Sequence, residues 1–326
     1  MRGTATLRWR GTALAAAVGV GLLLGARSGR CATLLSDGFG DGDRDNDGTP
    51  DGPVENAADV GAAFFTARSN SSITVGVASD ATVAGAPIEI GSGNALNAAT
   101  TTTSNRPLVA NFPAITLAAG DKLSLTFDAR IVESPIDVND RKFRFGLYNA
   151  GGTLVTDNNS VAATTDDDLG YFAQVDSGAD VTGATIDVRG DNNPGAPNNS
   201  FLGGTGTNSV SLAATNGAFS LDDNDAHEFV LTLERVGSEL NISLSFDGTV
   251  VDTGFTGGAN PAALTFTYDE VALGTNGVSL DYRIDNVIVE YTPVPEPVGL
   301  ALAGLAGATL LSRRGRRIPG IQGTSL

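Results

Sequence analysis

Residues Lys122–Ile131 read KLSLTFDARI, and their strict alternation of apolar and polar side chains decides the fold class. An extended strand with this pattern buries one face and leaves the other to water. The same period of two recurs in Arg141–Tyr148, His227–Val236 and Leu240–Asp247, and the turn Gly237–Ser238 joins the last two as a hairpin. No segment of the chain body shows a sustained helical period, so the pattern predicts antiparallel strands.

Shorter apolar segments separated by turn signals complete the predicted strand set. They are Ser72–Ala78, Gly170–Asp176, Ala184–Arg189, Val250–Thr253, Leu264–Tyr268 and Glu270–Leu273. In the closing strand the alternation that starts at Leu280 changes phase at Asp285–Asn286, which predicts a β-bulge. We predict surface loops at Gly91–Arg106 and Asp191–Asn208, because their small and polar side chains bury little apolar area.

Composition excludes several classes of function. The 326 residues include one histidine, His227, and one cysteine, Cys31. These are too few for the ligands of a typical zinc site, and they make a serine or cysteine nucleophile activated by histidine a poor candidate. Between residues 33 and 292 the chain carries 36 acidic side chains and 11 basic ones. This charge repels nucleic acid and anionic lipid and attracts cations. We therefore expect no nucleic-acid partner, and either calcium or no bound ion at all as the counter-ion.

The N-terminus, residues 1–32, has the pattern of an export signal. Arg2, Arg8 and Arg10 form a positive region, and the apolar stretch Ala13–Ala26 follows them. At 14 residues that stretch is short for a membrane span. An uncleaved anchor and a lipoprotein attached at Cys31 are the alternatives. The sequence favours a signal peptide that directs export.

The C-terminus, residues 293–317, contains three consecutive signals. Pro295, Glu296 and Pro297 keep the backbone extended, and the apolar run Val298–Leu311 follows them. As a transmembrane helix that run is about 21 Å long. A cluster of basic residues then holds the end of the helix on the cytoplasmic side: Arg313, Arg314, Arg316 and Arg317.

These three signals resemble the PEP-CTERM sorting signal. Pro295, Glu296 and Pro297 match the motif residue for residue, and the apolar run and arginine cluster match its helix and tip. The resemblance implies that exosortase, a membrane protease-transpeptidase, is a partner and processes the tail. The tail at 318–326 extends beyond the arginine cluster. A C-terminal membrane anchor without processing is the alternative.

The predicted body, residues 57–292, resembles the concanavalin-like jelly rolls of lectins and glucanases in the order and character of its strands. The resemblance implies an antiparallel β-sandwich. An acidic Asp/Gly-rich segment at 33–56 precedes the body. The complete expectation is an all-β sandwich flanked by an N-terminal signal helix and a C-terminal hydrophobic helix.

The acidic segment contains the sharpest candidate for a metal site. Asp43, Asp45 and Asp47 are spaced by two and Gly48 follows, as in the first half of an EF-hand loop. The residue at the closing position of that loop is Val54, so full EF-hand geometry is not expected. Closed by Asp51 instead, the motif resembles the calcium repeats of thrombospondin type 3 domains. Calcium binding and a solvated acidic linker are both open.

Other acidic groups have two interpretations each. Asp166–Asp168 and Asp222–Asp225 precede predicted strands, so they are either turn residues or metal ligands. Asp285 and Asn286 lie at the predicted bulge. Their side chains either face a structural calcium ion or form hydrogen bonds with the backbone of the bulge itself.

Catalytic and sugar-binding side chains are few. A glycoside hydrolase needs only two carboxylates, but the nine glutamates form no Glu-x-Asp-x-Glu strand motif. No tryptophan lies outside the signal segment, so the aromatic candidates for sugar contact are tyrosines: Tyr148, Tyr171, Tyr268, Tyr282 and Tyr291.

The sequence therefore predicts an exported, non-enzymatic protein that is anchored transiently in the inner membrane and then reaches the cell surface or extracellular matrix. There it would have a structural or adhesive role. A lectin-like protein that binds extracellular polysaccharide is the alternative, and a divergent glycoside hydrolase is a more distant one.

Overall fold

The computed structural model describes residues 30–67, 73–79, 93–100, 106–131, 142–158, 165, 168–176, 184–189, 209–212, 226–276 and 281–294. The chain divides into two units, and Arg30–Pro293 contains all the strands of the described part. The described part has fifteen strands, no α-helix, and no helix of a length and hydropathy suited to a membrane span. The predicted signal helix, sorting motif and arginine cluster lie outside the described residues.

The first sheet has eight antiparallel strands. In spatial order seven of them are β13 (Thr249–Phe255), β12 (Glu239–Phe246), β11 (His227–Val236), β6 (Lys122–Ile131), β15 (Asp281–Thr292), β4 (Asn94–Thr100) and β3 (Ile73–Ser79). The eighth, β1 (Ala32–Asp37), also pairs with β15. The first and last described strands of the chain are therefore hydrogen-bonded neighbours.

The second sheet has seven antiparallel strands. Their order is β10 (Ser209–Ser211), β9 (Ala184–Arg189), β8 (Leu169–Asp176), β7 (Lys142–Asn149), β14 (Thr267–Asn276), β5 (Arg106–Thr116) and β2 (Phe64–Thr66). Alternate side chains of both sheets enter one hydrophobic core, which makes the architecture an antiparallel β-sandwich. The predicted all-β antiparallel sandwich is confirmed for the described residues.

The core forms where the alternation of the sequence places it. Leu123, Leu125 and Phe127 on β6 have no exposed surface. The ring of Phe127 stacks on Phe229 of the same sheet, with 5.3 Å between centroids, and meets Phe145 of the other sheet edge-on at 4.8 Å. Aromatic pairs in these arrangements add specific geometry to the burial of apolar area. The apolar residues that alternate along the predicted strands are thus the ones that pack the two sheets against each other.

Several strand predictions are confirmed closely. β6 and β11 have the predicted bounds to the residue. The predicted bulge is also present, because the pairing of β15 with β6 changes register between Asp285 and Ile288. Asn286 there has a φ of 52°, a conformation that asparagine tolerates better than most residues.

Other predictions were wrong. Asn94–Thr100 is a mostly buried strand, whereas the sequence predicted a surface loop over Gly91–Arg106. Its buried positions include Ala95 and Ala98, whose small side chains give a weak hydrophobic signal. The two strands predicted around Asp269 are one strand, β14, with a register shift between Tyr268 and Glu270. The sequence also gave no prediction for β1, β2, β5 and β10.

Candidate metal centre

The acidic segment forms a compact loop between β1 and β2. The backbone amide of Asp51 donates to the carbonyl of Gly42 at 2.7 Å, and the amide of Glu55 donates to the carbonyl of Gly40 at 2.8 Å. Gly42 has a φ of 76°, and a Cβ atom there would lie 2.6 Å from the carbonyl oxygen of Pro53. Only glycine allows this close approach. The loop therefore closes on itself and brings its carboxylates together.

Three of the four predicted metal ligands converge. Asp43, Asp45 and Asp51 each place one carboxylate oxygen within 4.8 Å of the others. Asp47 is not part of this group, and it is exposed with its Oδ1 accepting the amide of Thr49 at 2.7 Å. Asp47 therefore shapes the turn of the loop.

Arg44 places a positive charge inside the same loop. Its Nη2 donates to Asp45 Oδ2 at 3.0 Å, and its Nε lies 3.4 Å from Asp51 Oδ2. Its Nη1 donates to the backbone carbonyl of Phe64 and to Asn158 Oδ1. The residue is 6% exposed. The spacing of the aspartates does not predict the direction of the Arg44 side chain, so this role was not identified from the sequence.

The remaining carboxylate oxygens fit a hard cation. Asp43 is 9% exposed, its Oδ2 accepts the amide of Gly48 at 2.8 Å, and its buried Oδ1 has no hydrogen-bond partner. Burial raises the pKa of Asp51 above its usual value, although the nearby Arg44 lowers it. Calcium binds six to eight oxygens, and carboxylates are its preferred charged ligands. Asp43, Asp45 and Asp51 would supply part of that set.

A second buried carboxyl lies where β1 ends. Asp37 is 2% exposed, its Oδ1 accepts the amide of Phe39 at 2.8 Å, and its Oδ2 is buried without a partner. A Cβ atom on Gly61 would lie 2.3 Å from this carboxyl group. Burial, together with the smaller effect of the charges on Asp41 and Asp59, raises the pKa of Asp37 to about 8. No sequence pattern identifies this group.

The bulge in β15 is held by local hydrogen bonds. Asp285 Oδ1 accepts the amide of Asn286 at 2.7 Å, and Asn286 Nδ2 donates to Asp128 Oδ2 at 2.8 Å. These contacts agree with the interpretation in which the bulge satisfies its own polar groups.

The other predicted positions are dispersed. Asp168 is 1% exposed, whereas Asp166, Asp167 and Asp222–Asp225 lie outside the described residues. His227 Nδ1 is 2.8 Å from Asp247 Oδ2, at the mouth of a tight turn. Cys31 is an exposed free thiol. Asp168, His227 and Cys31 do not belong to the group around Asp43.

The tyrosines do not form an exposed sugar platform. Tyr148, Tyr171, Tyr268 and Tyr282 have no exposed surface, and Tyr291 is partly buried with its hydroxyl donating to Asp121 Oδ2 at 2.6 Å. The exposed aromatic side chain in the described region is Phe255, at 42%. Phe255 was not among the predicted candidates because the predicted strand ended at Thr253. The alternation of Val251, Thr253 and Phe255 was the available signal.

Phe255 borders a groove on the outer face of the eight-stranded sheet. The groove has a volume of about 360 Å³ and crosses β6, β11, β12 and β13. Lys122 Nζ and Glu234 Oε2 lie 3.4 Å apart at one end of its lining. Binding sites for small ligands commonly have volumes of about 300–1,000 Å³.

No family model and no curated protein matches the chain. Among solved structures, it is similar to the globular domain of T. cruzi calreticulin, with 11% identity and a TM-score of 0.46 over 87% of this chain and 98% of that one. An endo-1,3-β-glucanase from Streptomyces sioyaensis matches with 15% identity and a TM-score of 0.42, over 82% and 98%. The exoplasmic/lumenal domain of VIP36 in its Ca²⁺/Man-bound form matches with 10% identity and a TM-score of 0.42, over 83% and 93%. These likenesses concern overall architecture alone.

Proposed function

We propose that this chain is an exported, non-enzymatic structural or adhesive protein of the cell surface or extracellular matrix, with a jelly-roll sandwich of the concanavalin type stabilised by calcium. The observation that supports the calcium proposal is the convergence of Asp43, Asp45 and Asp51 within 4.8 Å. The terminal segments, with their signal-peptide and PEP-CTERM patterns, support the proposal of export.

Calcium would act on the connection between the sheets. The loop starts at the end of β1 in one sheet and leads to β2 in the other. Asp43, Asp45 and Asp51 would hold the ion, which would add to the single positive charge of Arg44 beside these three carboxylates. The loop would then resist local opening, as a surface protein outside the cell requires.

Calcium is expected to raise the melting temperature of the purified chain. A ligand at about 100 times its dissociation constant stabilises the folded state by about 2.7 kcal/mol. For a domain of this size, that corresponds to a rise of roughly 5–10 °C. Differential scanning calorimetry in chelator and in calcium measures it. Asp43→Asn should abolish the rise, whereas Asp47→Asn, which changes the same charge outside the group, should keep most of it. An equal rise in wild type and Asp43→Asn would contradict the assignment.

The sorting proposal predicts processing of the tail in the native host. The wild type should lose its C-terminal segment near Pro295–Pro297 and leave the membrane fraction, while Glu296→Ala should keep the tail and remain anchored. Intact mass and cell fractionation measure both properties. If both proteins keep the full tail in the inner membrane, the chain is an anchored domain without exosortase processing.

A lectin-like glycan binder is the second candidate function. The observation that favours it is the groove beside Phe255 on the eight-stranded sheet. A divergent glycoside hydrolase has less support, because that reaction needs two carboxylates. The lining of the groove has one, Glu234, and it lies 3.4 Å from Lys122. A glycan array probed with the purified body separates the binder from a structural protein that recognises no sugar.

A further inference from the structure

We propose that the groove on the outer face of the eight-stranded sheet binds a neutral polysaccharide chain that runs across strands β11, β12 and β13. The proposal rests on the second candidate function and specifies its site and its class of ligand. The site has no part in the acidic loop and does not require calcium.

Strand pairing arranges the groove in two rows that run across the sheet. In the first row Glu234 pairs with Lys122 on one side and with Asn241 on the other, and Asn241 pairs with Phe255. In the second row the paired residues of the groove lining all carry hydroxyl groups: Thr232, Ser243 and Thr253. Neighbouring strands lie about 4.8 Å apart, so the second row presents hydroxyl groups at regular intervals. A ligand with repeating hydroxyl-bearing units complements such a row.

The polar groups of the groove are available to a ligand. The hydroxyls of Thr232, Ser243 and Thr253 and the side-chain amide of Asn241 line the groove. Asn241 and Thr253 are exposed, and Thr232 and Ser243 are partly exposed. Hydroxyl and amide groups both donate and accept hydrogen bonds, which suits the vicinal hydroxyls of a sugar.

Phe255 supplies the apolar contact that a sugar ring needs. A pyranose has a face of C–H groups, and an aromatic ring can cover it while hydroxyls bond at the rim. The end of β13 is held in place by neighbouring contacts: Asn260 Nδ2 donates to the carbonyl of Phe255 at 2.9 Å. The next residue, Thr256, exchanges hydrogen bonds with Leu240 through its amide and its hydroxyl. The backbone that carries the ring is therefore fixed before a ligand arrives.

The charges favour a neutral ligand. Lys122 and Glu234 lie 3.4 Å apart and cancel each other within the groove. The whole chain has a formal charge of −17, which repels polyanions such as uronic-acid polymers. Neither the groove nor the surrounding field would attract an acidic polysaccharide, so the observations select a neutral one.

Native affinity electrophoresis of the purified chain tests the proposal. The gels contain one of four neutral polysaccharides, mixed-linkage β-glucan, xyloglucan, galactomannan or dextran, and alginate serves as the anionic comparison. We expect at least one neutral polymer, and not alginate, to retard the wild type with or without calcium. Phe255→Ala and Asn241→Ala should each weaken retardation by roughly tenfold or more in dissociation constant. Val250→Ala, which truncates an exposed apolar side chain of the same strand away from the groove lining, is the matched control.

Each outcome has a defined meaning, once calorimetry shows that the variants are folded. Retardation of the wild type that Phe255→Ala and Asn241→Ala leave unchanged would overturn the groove assignment while preserving the lectin-like function. No retardation by any neutral polymer would overturn both. A concentration-dependent dimer that Phe255→Ala abolishes, without polysaccharide binding, would show that the groove meets a second copy of this chain instead.

Discussion

Arg44→Met is expected to lower the free energy of unfolding by about 3–5 kcal/mol in calcium-free buffer, the usual cost of leaving a buried charge without its partner. Methionine keeps much of the apolar stem of arginine but removes the guanidinium group. Asp45, whose side chain is 9% exposed, then loses its ion pair at 3.0 Å. The carbonyl of Phe64 and the amide oxygen of Asn158 also lose a donor. One substitution thus breaks contacts from the loop to β2 and to the segment that follows β7.

Calcium should reverse part of this loss. An ion held by Asp43, Asp45 and Asp51 would restore positive charge to the loop from which the guanidinium was removed. The stabilisation by calcium should therefore be larger in Arg44→Met than in the wild type. Urea denaturation in chelator and in calcium gives both free energies. An equal effect of calcium on the two proteins would show that the three carboxylates do not hold the ion in place of the arginine.

Arg235→Met is a suitable control for the loss of an arginine. Arg235 donates to the carbonyl of Leu117 at 2.6 Å and lies over the ring of Phe266, and neither contact involves the acidic loop. This variant should also lose stability, but calcium should not restore it. Arg44→Lys should lie between Arg44→Met and the wild type, because lysine keeps the charge but lacks the planar fork of donors.

Alternation predicted the strands whose inward faces carry large side chains. Lys122–Ile131 and His227–Val236 were correct to the residue, because Leu and Phe alternate there with polar side chains. Asn94–Thr100 was missed, because its apolar residues other than Leu96 are alanines and its ends are polar. The burial of that strand depends on its two partners, β3 and β15, and β15 lies far away in sequence. A local pattern does not contain this information.

For the acidic loop too, the sequence predicted residues that follow a local pattern and not those whose roles depend on distant contacts. The spacing of Asp43, Asp45 and Asp51 identified three carboxylates that the loop does bring together. The role of Arg44 depends on Phe64 and Asn158, which enter the loop from other parts of the fold. The burial of Asp37 likewise depends on Gly61, whose missing side chain leaves room for the carboxyl group. Tertiary contacts alone distinguish these residues from other charged residues in loops.

Asp37→Asn is expected to remove a large part of the pH dependence of stability. The folded state holds the pKa of Asp37 at about 8, against an ordinary value of 3.8. Between those values the folded state binds a proton that the unfolded state has released. The contribution of Asp37 is therefore fully present below about pH 4 and is lost as the pH rises through 8, by at most roughly 1.4 kcal/mol per pH unit.

Asparagine mimics the protonated carboxyl group. Its side-chain oxygen can still accept the amide of Phe39, and it adds no negative charge beside Asp41 and Asp59. The variant and the wild type should have similar stability near pH 4, where Asp37 is protonated in both the folded and much of the unfolded state. At pH 8 the variant should be the more stable protein, because it does not have to bury a charge.

Urea denaturation at a series of pH values from 4 to 8, with chelator present, measures the difference between the two proteins. Asp47→Asn removes an equal charge from an exposed position and should change the stability by the same small amount at every pH. A difference between Asp37→Asn and the wild type that grows with pH identifies the buried carboxyl as the cause. A constant destabilisation at all pH values would mean that Asp37 is ionised in the folded state, and its unpartnered oxygen would then need a cation.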